Sequence, residues 1–113
     1  MNLGTHGSMS PHEMNNVLIC KGPKFSKNRR ILTPSGNTDV LPTILDILGI
    51  EVPESMNGRV LKEAYENGQN EVVFNRRSLR AEREIKGFYF KQEIVLSELD
   101  GSMYIDEGSS VLE

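Results

Sequence analysis

The dipeptide Asp100-Gly101 separates two runs of strand-like sequence, Gly87–Glu98 and Ser102–Ile105. An Asp-Gly pair adopts positive φ at both central positions of a two-residue turn, so the chain reverses there as a tight antiparallel hairpin. Such a turn sets Leu99 opposite Ser102 and Leu96 opposite Ile105. Phe88, Phe90, Ile94 and Leu96 then share one face with Met103 and Ile105. That face is apolar and demands a cover. An isolated two-stranded hairpin is marginal in water.

Upstream, Asn15–Cys20 reads as a short strand, apolar from Val17 to Cys20 and stopped by Gly22-Pro23. Its uninterrupted apolar character predicts cover on both faces. Lys24–Ser35 is polar and basic, hence a loop. Asn37-Thr38-Asp39 offers capping oxygens to a helix carrying Val40, Leu41, Ile44, Leu45, Ile47 and Leu48. Pro42 falls in its first turn, where a missing N–H costs little, and Gly49 is its C-terminal cap. So many apolar positions in so short a helix predict burial on more than one side. A short helical turn over Arg59–Glu66 follows, with Val60, Leu61, Ala64 and Tyr65 on one face, stopped by Asn67–Asn70. Glu71–Phe74 reads as a further strand and Ser78–Lys86 as a charged surface segment or linker. Gly108–Glu113 is expected to fray.

At 113 residues and 12.7 kDa the chain is one domain at most. A net charge of -3 gives no global attraction for nucleic acid or an anionic membrane, so neither is an expected partner. The lone Cys20 excludes an internal disulfide, and its apolar setting predicts a buried, inert thiol. No apolar stretch approaches the ~20 residues of a membrane span. Met1–Ser10 lacks the charged and apolar regions of a signal peptide. No repeat or low-complexity tract occurs.

Few residues announce chemistry. His6, between Gly4-Thr5 and Gly7, is free to reach a metal, yet a metal site needs several ligands. His12 and Glu13 do not complete a compact spacing such as His-Glu-x-x-His. Taken alone, His6 reads first as a solvated loop residue. Ser8 and Ser10 could be nucleophiles only with a base and an oxyanion hole, and no carboxylate stands at a suggestive spacing. Lys21, Lys24, Lys27, Arg29 and Arg30 form a basic cluster with only Phe25 interleaved, which reads as a solvated loop. Asp39 and Asp46 lie two helical turns apart, too far for an acid–base pair, and Asp39 suits the helix N-terminus.

Four stretches gain meaning from their order. They are Gly4-Thr5-His6-Gly7-Ser8-Met9-Ser10-Pro11 with the following Glu13-Met14 and Asn16–Ile19; Lys21-Gly22-Pro23-Lys24-Phe25; Pro34–Ile50, containing Asn37-Thr38-Asp39-Val40-Leu41-Pro42-Thr43-Ile44-Leu45; and Met56-Asn57-Gly58-Arg59-Val60-Leu61. Together they resemble the alkaline phosphatase superfamily, and within it the type I phosphodiesterase/nucleotide pyrophosphatase group. The resemblance covers residues 4–65 well. The hairpin ending in Tyr104-Ile105-Asp106-Glu107-Gly108 looks like accessory C-terminal strands of bacterial members, with less specific motifs.

This resemblance implies an α/β fold, the C-terminal part of an α/β/α sandwich with a C-terminal β-hairpin. Residues 1–66 would belong to the catalytic domain and 67–113 to an accessory strand region. It implies that His6 holds one of two zinc ions in a hydrolase of phosphodiester or nucleotide substrates. Zinc there stabilises charge on phosphoryl oxygens. The helix is a fold element of that family, so Asp39 receives no catalytic role. The family's nucleophile and its other metal ligands precede the matched segment and have no counterpart here. The isolated chain is therefore expected to be inactive, and to form a homo-oligomer or pair with the missing N-terminal portion. Two alternatives remain: a non-enzymatic interaction module derived from such an enzyme, or part of a sulfatase or phosphomutase of the same superfamily.

Overall fold

Asp100 and Gly101 both take positive φ, 49° and 79°, and reverse the chain as expected of an Asp-Gly turn. The computed structural model describes residues 7–69 and 72–113. It contains three strands, β1 (Asn75–Ile85), β2 (Phe88–Leu99) and β3 (Ser102–Leu112), in one sheet of order β1-β2-β3. Both connections are two-residue turns, so the sheet is antiparallel. The helices are α1 (Pro11–Met14) and α2 (Val40–Ile47), with short 3-10 turns at Asn37–Asp39 and Lys62–Ala64. The chain thus mixes α and β structure.

The sheet exceeds the expected hairpin at both ends. Ser78–Lys86, read as a charged surface segment or linker, instead supplies most of β1. Lys86 and Gly87, at φ 53° and 85°, form the turn that folds β1 onto β2. Leu79, Ala81 and Ile85 alternate with polar residues, but Arg83 interrupts the run, the flanking charges mask it, and every β1 residue is exposed. Gly108–Glu113, expected to fray, continues the sheet: Tyr89 and Glu113 exchange both backbone hydrogen bonds, at 2.8 and 2.9 Å. Between the Asp100-Gly101 turn and this pair, β3 uses one residue more than β2, so it carries a bulge.

The predicted strand at Asn15–Cys20 does not form. Val17 and Ile19 are 84% and 85% exposed, and Cys20 is an exposed free thiol, not a buried one. A strand buried on both faces needs neighbours on both sides, and the segment pairs with no strand among the described residues. Val72–Phe74 likewise lie outside any strand; Asn70 and Glu71 lie outside the described residues.

Two compact units divide the chain. The described part of one comprises residues 7–17, Arg76–Ser97 and Ile105–Glu113. Here Met9 carbonyl accepts the Gly108 N–H at 2.7 Å, holding the segment around α1 against β3. Asp106 Oδ2 accepts from Arg76 Nε at 3.0 Å and from Ser97 Oγ at 2.8 Å, tying the three strands across the sheet. Ser97 is 1% exposed.

The described part of the other comprises residues 18–69, 72–75 and Glu98–Tyr104. Its helix α2 has Pro42 in the first turn and ends at Gly49, φ 71°, as expected. The predicted burial on more than one side is not observed. Pro42 and Thr43 are buried, while Val40, Leu41, Ile44 and Leu48 stay exposed. Phe25 and Tyr65 form an isolated antiparallel bridge, with rings edge-on at 6.0 Å.

Candidate functional site

His6, the one metal-ligand candidate, lies outside the described residues. The residues after it are built as a self-contained turn. Glu13 Oε2 accepts the Ser8 N–H at 2.6 Å, and Ser8 Oγ donates to Ser10 Oγ at 3.1 Å. Ser10 carbonyl accepts from Glu13 and Met14 at the start of α1. Ser8 and Ser10 therefore serve as turn residues. No three metal-ligating side chains gather among the described residues.

The most developed polar constellation surrounds Asp39 and Arg59. Asp39 is fully buried. Its Oδ2 accepts the Gly36 N–H at 2.8 Å and its Oδ1 accepts the Arg59 N–H at 2.9 Å. The first contact satisfies an N–H at the helix entrance; the second fastens a segment twenty residues away. Thr43 Oγ extends the tie, donating to Asp39 carbonyl at 2.7 Å and accepting the Leu61 N–H at 3.0 Å. Gly58 is required because a Cβ there would overlap the Thr38 carbonyl.

The Arg59 guanidinium is spent in all directions. Nη1 and Nη2 grip the Glu63 carboxylate at 3.0 and 2.6 Å. Nη2 also donates to Pro34 carbonyl at 2.9 Å, and Nε to Tyr104 hydroxyl at 3.0 Å. Burial pulls the Arg59 pKa down, but the hydrogen bonds and charge of Glu63 outweigh it and hold the pKa above its ordinary value. Burial raises the Tyr104 hydroxyl against the opposing charge of Arg59. No buried side-chain N or O atom lacks a partner among the described residues.

This arrangement fixes geometry and leaves no charged group aimed at a ligand. An open depression of about 470 Å³ runs between Asn57-Gly58 and the Asp100-Gly101 turn, and the buried cation at its edge, Arg59, is already paired. Asp46, two turns from Asp39, accepts the Tyr65 hydroxyl at 2.8 Å. In the basic loop, Arg29 donates to the carbonyls of Gly68 and Gln69 at 3.1 and 2.5 Å, while Lys21, Lys24, Lys27 and Arg30 are exposed. The roles of Glu63 and Tyr104 were missed in sequence. The one local signal available was the Arg59-to-Glu63 spacing of four residues in the predicted helical turn.

Comparison of the chain with protein-family models, with curated proteins and with solved structures finds no match.

Proposed function

We propose that this chain is the C-terminal portion of a zinc-dependent hydrolase resembling the type I phosphodiesterases and nucleotide pyrophosphatases of the alkaline phosphatase superfamily. In this reading His6 supplies one metal ligand, phosphodiesters or nucleotides are the substrates, and the chain completes an α/β/α sandwich. One observation carries the proposal: two of the stretches on which the resemblance rests are bonded to one another. Asp39 and Thr43 of the helix stretch hold the backbone of Arg59 and Leu61, and Gly58 packs on Thr38. Two stretches that each resemble a motif of that family, locked together by their own residues, fit a common structural role. The exposed apolar side of α2 and the exposed Val17–Ile19 fit a helix and strand that other parts of a sandwich would cover.

A split-enzyme experiment tests this reading. The chain is mixed with a type I phosphodiesterase truncated before its matching histidine turn, and hydrolysis of bis-p-nitrophenyl phosphate is followed with zinc present. Each part alone is expected to be inactive. The mixture is expected to turn over, and to fail with His6→Ala while still associating. Robust turnover by the isolated chain, or equal zinc retention by the wild-type and His6→Ala mixtures, overturns the assignment.

A further inference from the structure

We infer that β1 is a self-pairing edge, through which two copies of this chain join antiparallel about a two-fold axis at Ala81.

β1 is an open edge of the sheet, eleven residues long, exposed throughout and free of Pro and Gly. Such an edge presents a row of backbone donors and acceptors, a template for another strand. Which groups face outward follows from the Lys86-Gly87 turn. Ile85 and Phe88 flank it as a hydrogen-bonded pair, so Ile85, Arg83, Ala81 and Leu79 bond to β2. The backbone groups of Glu84, Glu82, Arg80 and Ser78 therefore point away from the sheet. The Arg80–Glu93 ion pair, at 3.0 Å, joins residues directly opposite in this register.

A second β1 can bond only through those outward groups, which restricts the register. Placing the axis at Arg80 sets Arg80 against its own copy. Placing it at Glu82 does the same with Glu82. Both oppose like charges. Placing it at Ala81 sets Arg80 opposite Glu82 of the second copy, twice, and Ser78 opposite Glu84. It also puts the small Ala81 at the close central contact. Arg80 engages Glu93 through Nε and Nη2, so the Nη1 side of its fork remains for the second copy. On the opposite face, the same register lays the Arg83 stem over Leu79. From Ser78 to Glu84 the charge order is thus complementary to its own reverse, which selects a second copy as the occupant.

Charge swapping tests the proposal by sedimentation equilibrium. The wild-type chain is expected to show a reversible dimer at concentrations up to about 0.5 mM. Arg80→Glu and Glu82→Arg, each alone, face like charges at both contacts and are expected to weaken dimerisation by about tenfold or more. An equimolar mixture of the two restores unlike pairs and is expected to regain the dimer, which also shows that both variants fold. In a Cys20→Ser background, Ala81→Cys is expected to oxidise to a covalent dimer, because a non-hydrogen-bonded pair brings its Cα atoms to about 4.5 Å. Arg83→Cys is expected not to. A monomeric wild type, dimerisation unchanged by both single reversals, or no rescue on mixing overturns the proposal.

Discussion

Asp39 Oδ1 accepts the backbone N–H of Arg59 at 2.9 Å, joining the entrance of α2 to a segment twenty residues downstream. The carboxylate is fully buried and its other oxygen holds the Gly36 N–H. One side chain therefore fixes both the start of the helix and the path of the chain after it.

Removing that carboxylate strands the buried Arg59 N–H and the part-buried Gly36 N–H. A buried donor left unsatisfied costs about 1–3 kcal/mol and a part-buried one somewhat less, so Asp39→Ala is expected to lose about 2–5 kcal/mol of stability. Asp39→Asn keeps one acceptor oxygen and turns an amide donor toward the other N–H, so it is expected to lose less. Urea denaturation monitored by far-UV circular dichroism ranks the variants; a loss under about 1 kcal/mol for Asp39→Ala contradicts the account.

Gly58 should tolerate no side chain. A Cβ there meets Thr38 carbonyl and carbon atoms of the backbone, which cannot swing aside. Gly49 has open space but positive φ, 71°. Gly58→Ala is therefore expected to cost more than Gly49→Ala, whose penalty is the roughly 1 kcal/mol of a left-handed alanine. Denaturation midpoints of the two variants make the comparison directly.

Glu63 answers the charge of Arg59 in a buried, two-toothed pair. Glu63→Ala leaves the guanidinium without its counter-charge and is expected to cost about 3–5 kcal/mol. Arg59→Met combined with Glu63→Leu removes both charges and is expected to cost less than the sum of its single substitutions. A double-mutant cycle measures that coupling, and simple additivity would mean the pair does not act as a unit.

How much of this was readable in sequence depends on which physical signal each element carried. The Asp100-Gly101 turn and the Gly49 cap were legible because each needs a backbone conformation that few residues adopt. β1 was not, because its weak period of Leu79, Ala81 and Ile85 is broken by Arg83 and outnumbered by charged residues in a solvent-exposed edge strand. Val17–Cys20 carried a strong apolar signal, but apolar character specifies burial only when a partner surface exists. Asp39 was read as a helix-entry residue. Its second task, holding Arg59, joins segments whose separation no local pattern reveals. His6 drew its metal role wholly from family resemblance.

The exposed Cys20 makes a chemical prediction opposite to its apolar sequence neighbourhood. The native chain is expected to react with Ellman's reagent at a rate close to that of the urea-unfolded chain. Protection of tenfold or more would place the thiol in a covered site.

The final prediction concerns alkaline pH. Tyr65 donates its hydroxyl to Asp46 Oδ2 at 2.8 Å. Burial first, then the hydrogen bond and negative charge of Asp46, push its pKa from 10.0 up to about 12. Below pH 10 the hydroxyl is protonated in both folded and unfolded chains, and the contribution to stability is fully present. Between pH 10 and about 12 the unfolded chain releases this proton and the folded chain keeps it, so stability falls as pH rises. Tyr65→Phe removes the titrating group and is expected to flatten this part of the profile while lowering stability at neutral pH. Urea midpoints at pH 8 and pH 11 for both chains separate this effect from the titration of lysines, which both share. An equal loss in the two chains would mean that Tyr65 is not the group responsible.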